Sequence, residues 1–81
     1  FMMKLERIFE SQYVTNQAQN IARYFVNINH NGFVFSDYNE ISRSTDLTRR
    51  TVMRCIKELK RKNLIYVHKC VPYPNVYELT F

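Results

Sequence analysis

The stretch Ile41-Ser42-Arg43-Ser44-Thr45-Asp46-Leu47-Thr48-Arg49-Arg50-Thr51-Val52-Met53-Arg54-Cys55-Ile56 decides how this chain folds. A short helix ends by Ser44 or Thr45, Asp46-Leu47 makes a tight turn, and the Thr48 hydroxyl stands ready to cap a new helix over 49–62. Asp46 suits the turn because Asp is among the few non-glycine residues that tolerate a left-handed backbone. Asn63 closes the new helix for the same reason.

That helix is sharply two-sided. At about 100° per residue, with Arg50 at zero, Arg61 falls at about 20°, Arg54 at about 40°, Lys57 at about 340° and Met53 at about 300°. Cys55, Leu59, Val52 and Ile56 gather opposite, between about 140° and 240°. Residues 49–62 hold seven Lys and Arg against Glu58 alone, a net of +6, which leaves −1 on the rest of a +5 chain. A solvated surface helix alternates Glu with Lys for mutual support. Here phosphates are the partner that best relieves the repulsion, and a localised basic patch on a neutral body points to nucleic acid.

Upstream, Ala18, Ile21, Phe25 and Ile28 form one apolar stripe, so a first helix is expected over roughly 14–29, ended by Asn31-Gly32. Phe33-Val34-Phe35 reads as a short strand. Ser36 or Asp37 then caps the helix that precedes the turn, with Asp37 and Glu40 at capping-box spacing and Tyr38, Ile41 and Ser42 on its buried side. Downstream, 64–70 and 76–81 are rich in β-branched and aromatic residues and flank Val71-Pro72-Tyr73-Pro74-Asn75, which makes a hairpin. The expected architecture is mainly α with a small antiparallel sheet (α+β), in the order helix, strand, helix, helix, strand, strand. Residues 1–13, with Leu5, Ile8 and Phe9 at helical spacing, are an arm or short helix ahead of a domain over 14–81.

Eighty-one residues make one domain. Twelve aromatic side chains supply a core without a disulfide framework. Apolar runs stop at three or four residues, far below the roughly 18 needed to cross a bilayer, so no membrane association is expected. Nothing resembles an export signal. A cytoplasmic location is therefore expected, with Cys55 and Cys70 reduced, the first a small core residue and the second in a strand. Those two cysteines with His30 and His68 have no zinc spacing, so no metal and no cofactor is expected. A single glycine gives no phosphate loop, the acids are dispersed and neither His adjoins a nucleophile motif, which argues against an enzyme and against a small-molecule ligand.

The spacing of Ser42, Asp46, Leu47, Thr48 and Val52 resembles a helix-turn-helix, and through the hairpin the chain resembles the winged members of that superfamily. Leu47 to Val52 followed by Ile56 to Ile65 is similar to the recognition helix and first wing strand of GntR-like and MarR-like regulators and of N-terminal domains of phage and plasmid replication proteins. Those families mostly carry Ala where Ser42 stands and Gly where Asp46 and Asn63 stand. The resemblance covers residues 14–81. It implies that the start of the third helix enters the major groove, with Thr48, Arg49, Arg50, Thr51 and Arg54 nearest DNA: Arg50 and Arg54 at base edges, Thr48, Arg49, Lys57 and Arg61 at the backbone. Arginine's planar fork pairs with guanine O6 and N7 or clamps a phosphate.

Other residues keep two readings. The Tyr38 hydroxyl reaches a phosphate or the ring packs in the core. Lys69 and a proline-stiffened tip carrying Tyr73 and Asn75 touch the minor groove or backbone, or the hairpin merely completes the sheet with Val34. Met53 meets a thymine methyl or is simply exposed.

The function these features favour is sequence-specific double-stranded DNA binding by a small transcription regulator. Alternatives are a DNA-binding module of a phage, plasmid or viral replication protein, and a winged domain used for protein contact or RNA. A protein-docking helix would expose apolar anchors where this one exposes arginines, and an A-form major groove does not admit a helix. Residues 14–81 are all taken up by the expected fold, so unless the chain is a fragment, regulation is expected to come through level, partner or oligomerisation. A homodimer is expected through residues 2–13 and the outer face of the first helix, taken as the only spare apolar surface.

Overall fold

A computed structural model describes residues 14–72 and 74–80. Helix α1 (Asn16–Ile28) begins where Thr15, still extended, accepts a hydrogen bond from the Ala18 amide. Its stripe of Ala18, Ile21, Ala22 and Phe25 is wholly buried. The helix stops earlier than the sequence suggests. Asn29 returns to an extended backbone, donates from Nδ2 to the Val26 carbonyl at 2.6 Å and accepts from the Gly32 amide at 3.1 Å.

Asn31 and Gly32 therefore do not close α1. At φ 55° and 90° they link His30 to Phe33, whose backbones exchange hydrogen bonds of 2.8 and 3.0 Å. Two successive positive φ values give a turn whose twist matches that of paired strands, and Asn-Gly is the dipeptide that adopts it most readily. The pair opens the sheet.

Strand β1 (Phe33–Phe35) leads into α2 (Tyr38–Thr45), capped by Asp37, whose side chain accepts from the Glu40 amide at 2.8 Å. The capping box is only half formed, because the Glu40 carboxylate accepts instead from the Ser36 hydroxyl. After the turn come α3 (Arg49–Arg61), β2 (Ile65–His68) and β3 (Val76–Leu79). The strands form one antiparallel sheet in the order β1-β3-β2. They are shorter than expected: Leu64 belongs to the helix exit, and pairing ends at His68 opposite Val76, so Cys70 lies beyond β2 rather than in a strand.

The three helices cover one face of the sheet. Val34, Ile41, Val52, Cys55 and Leu59 are fully buried between them, and Tyr77 of the central strand stacks on Phe25 at 5.2 Å between centroids. Burial pushes the Tyr77 hydroxyl up to about 12. Tyr38 packs against this core, as the second of its two readings held. Both helix ends that frame α3 are left-handed. Asp46 sits at φ 58° and Asn63 at φ 60°. At the helix exit the Leu64 amide returns to the Leu59 carbonyl and the Asn63 amide to the Lys60 carbonyl, each at 3.0 Å, which satisfies two of the carbonyls in the last turn of α3.

The expectation of spare apolar surface on α1 is corrected. Its exposed positions are Asn16, Gln17, Asn20, Arg23 and Asn27, all polar, because Ala18, Ile21, Ala22 and Phe25 are buried in the core and Tyr24, Val26 and Ile28 pack against it half-buried. Among the described residues the exposed aromatics lie instead on the sheet: Phe33, Phe35 and Tyr66.

Candidate nucleic-acid interface

The turn between α2 and α3 is tied twice by the same two residues. The Leu47 amide donates to the Ser42 carbonyl at 3.2 Å, and the Ser42 hydroxyl donates to the Leu47 carbonyl at 2.5 Å. This fixes where α3 starts. Thr48 then caps it, its Oγ1 accepting from the Thr51 amide at 3.2 Å and donating to Thr51 Oγ1 at 2.9 Å.

With Val52, Cys55, Ile56 and Leu59 turned into the core, the opposite face of α3 is left to solvent. Arg50, Thr51, Met53, Arg54 and Lys57 line one shallow depression there. Arg54, Lys57, Glu58, Arg61 and Lys62 of α3 and its end line a second, against Thr15 at the start of α1. Arg49 and Arg54 of this helix have partners elsewhere in the fold. The Arg49 guanidinium lies 5.9 Å from the Tyr38 ring centroid, and Arg54 Nη2 donates to Gln17 Oε1 on α1. The charge and the apolar stripe thus occupy opposite sides, as the helical wheel requires.

Glu58 is not a stray acid on that surface. It is 7% exposed, its Oε2 accepts from the Thr15 amide at 2.9 Å, its Oε1 accepts from the Thr15 hydroxyl at 3.0 Å, and Lys62 Nζ stands 3.5 Å away. Burial by itself would raise its pKa, but the two Thr15 hydrogen bonds and the Lys62 charge outweigh it and hold the carboxyl below its ordinary value. Composition and spacing did not single it out. A signal was present, since on the wheel Glu58 falls at about 80°, at the border between the basic and apolar faces.

The wing contributes less. Lys69 is exposed just past β2. The His68 ring is hydrogen-bonded to Glu78 on β3 at 2.9 Å, so it is engaged within the sheet. Asn75 turns back toward the Tyr77 hydroxyl, and with Pro74 it lines a small recess shared with Asp37 and Tyr38. Tyr73 lies outside the described residues. The structure therefore gathers Thr48, Arg49, Arg50, Thr51, Arg54, Lys57 and Arg61 on one helix and its cap, and leaves Lys69 apart, beyond the end of β2. Burial pushes the Cys55 thiol up, in keeping with a small core side chain. No group of three or more His, Cys, Asp or Glu among the described residues could hold a metal ion, and none of their helices is long and apolar enough to cross a membrane.

No protein-family model matches the chain, and no curated protein matches it. Solved structures do. A point mutant of Staphylococcus aureus MepR superposes with a TM-score of 0.70 at 23% identity, over 98% of this chain and 57% of that one. A structure of MepR described as a transcription regulator of the Staphylococcus aureus multidrug efflux pump MepA gives 0.64 at 24% identity, over 96% and 56%. The MepR–DNA complex from the same organism gives 0.64 at 25% identity, over 96% and 55%. The chain thus spans just over half the length of these proteins. MepR is a winged-helix regulator of the MarR family. The matching element order, the three-stranded sheet and the doubly tied turn before α3 together give this chain the winged helix-turn-helix fold.

Proposed function

We propose that this chain binds double-stranded DNA sequence-specifically, with α3 in the major groove, and acts in transcription regulation. The observation that carries the reading is the exposed face of α3, where Arg50, Arg54, Lys57 and Arg61 stand opposite a fully buried stripe. That a protein of the same fold has been solved with DNA supports it. Arg50 and Arg54 are assigned to base edges, Arg49, Lys57, Arg61 and the Thr48 cap to phosphates, Thr51 to the groove floor, and Lys69 and Tyr73 to the flanking backbone. On this reading the domain is a binding module and not an enzyme, and it works in the cytoplasm. A homodimer belongs to the same reading, since paired domains read paired half-sites. The exposed positions of α1 are polar, and residues 2–13, the other part of the expected dimer surface, lie outside the described residues. Sedimentation that stays at the 9.8 kDa monomer mass to high micromolar concentration rejects the dimer.

The test is a fluorescence-anisotropy titration of mixed-sequence duplex DNA, single-stranded DNA and duplex RNA at several salt concentrations, with Arg50→Ala/Arg54→Ala as control. Duplex preference with a log–log salt slope of roughly −4 to −6, expected for about five phosphates, and its loss in the folded double variant support the reading. Absence of duplex preference, or a double variant that binds as well, overturns it.

A further inference from the structure

Gln17 stands exposed on the first turn of α1, and its side-chain carbonyl accepts a hydrogen bond from Arg54 Nη2. One turn farther along α3, Glu58 takes both donors of Thr15, two residues before Gln17. The start of α1 is therefore fastened to α3 at Glu58 and meets Arg54 from that fixed base. We propose that Gln17 is a positioning residue for DNA recognition: it holds the Arg54 guanidinium in one orientation on the reading face, so that Arg54 discriminates among base pairs. This rests on the duplex-DNA reading above.

The chemistry of the pair fits the role. An exposed arginine is a long, mobile cation, and a mobile cation settles on phosphates, which carry no sequence information. A guanidinium has five N–H donors, and a bidentate contact to guanine O6 and N7 uses two. One donor given to Gln17 therefore leaves the fork available while removing much of its freedom to swing, and a group ordered before binding loses less on binding. The residue type matters as well. A carboxylate at position 17 would hold the same donor but place a negative charge beside the phosphates that Lys57 and Arg61 are there to meet. The glutamine amide supplies the acceptor without the charge.

The experiment uses the whole chain and a randomised duplex DNA library, selected in parallel by wild type, Gln17→Ala, Gln17→Glu, Arg54→Ala and Gln17→Ala/Arg54→Ala, each first checked by thermal melting. Sequencing then gives the preference at every position. The expected result is that Arg54→Ala erases preference at a defined base pair. Gln17→Ala should reduce preference at that same pair by about threefold to tenfold, the worth of one net hydrogen bond, and leave the other positions unchanged. Gln17→Ala should add nothing in the Arg54→Ala background, and Gln17→Glu should keep the preference there while weakening binding at every sequence. The proposal is overturned if Gln17→Ala retains wild-type preference at the Arg54-dependent pair or lowers all positions alike. It is also overturned if Arg54→Ala changes no single position, in which case DNA reading through Arg50 still stands. If wild type enriches no sequence at all, the duplex-DNA reading itself fails and the proposal with it.

Discussion

Thr15 and Glu58, 43 residues apart in the chain, are joined by two hydrogen bonds that make the cap of α1 and the one acid of α3 a single unit. The Thr15 hydroxyl works in both directions, accepting from the Ala18 amide at 3.3 Å while donating to the carboxylate. Thr15 is itself exposed, so without this acceptor water takes over its donors and the loss is that of ordinary net hydrogen bonds, about 0.5–1.5 kcal/mol. Glu58→Gln removes the charge and turns one oxygen into a donor facing donors. It should destabilise the fold by about that amount at neutral pH, read by denaturant midpoint at unchanged slope.

The same carboxyl predicts a pH dependence. Its folded-state pKa lies below the ordinary 4.5 of an unfolded glutamate. Its contribution is therefore complete above that pH and lost as pH falls through the lower folded-state value. Melting temperature measured from pH 7 down to pH 3 should fall more steeply in wild type than in Glu58→Gln, and the two curves should converge at the acid end. Parallel curves would remove Glu58 from the account.

Ser42 carries a hydroxyl where similar helix-turn-helix segments mostly carry alanine, and the hydroxyl closes the second tie to Leu47. Ser42→Ala keeps the small volume and cuts that tie. A loss of about 0.5–1.5 kcal/mol is expected from chemical denaturation. A neutral result would mean that the backbone bond from Leu47 suffices.

Asn63 sits at φ 60°, where any Cβ is strained and a β-branched one more so. Asn63→Gly is expected to hold or raise stability by up to about 1 kcal/mol, and Asn63→Val to lower it by more than about 1 kcal/mol. Thermal melting of the two variants orders them, and DNA binding by the glycine variant should match wild type.

Lys57 and Arg61 are assigned to phosphates, so Lys57→Ala and Arg61→Ala should each flatten the salt slope by about 1 while leaving the preferred sequence as it is. Salt titrations on a selected duplex and on a scrambled one measure both quantities. A variant that changes the preferred bases instead moves its residue to the base edge.

What could be read from the chain and what could not follow from the range of the interactions. The turn at Asp46-Leu47, the Thr48 cap and the two faces of α3 are local patterns, complete within a few residues, and each stands where the sequence puts it. Asn31-Gly32 shows the limit of such patterns. The same tolerance of positive φ serves a helix end and a strand-linking turn, and the choice falls to pairing with β3, far downstream. Cys70 fell outside its strand for a related reason, since β2 extends only as far as β3 accompanies it. Glu58 and Gln17 stayed hidden because their partners, Thr15 and Arg54, are 43 and 37 residues away. A helical wheel of α3 alone sees one acid among many cations, not a carboxylate with its acceptors filled.

The order β1-β3-β2 also bears on how the molecule comes into being. Among the described residues β1 and β2 do not pair with each other; in the sheet each pairs with β3, which leaves a ribosome after the other five described elements. Until residues 76–79 emerge, Phe25 lacks the ring that stacks on it and both outer strands present unpaired edges. The three helices can begin to gather during translation, but the sheet that backs them cannot close until its central strand arrives. Synthesis thus delivers the middle of this sheet last.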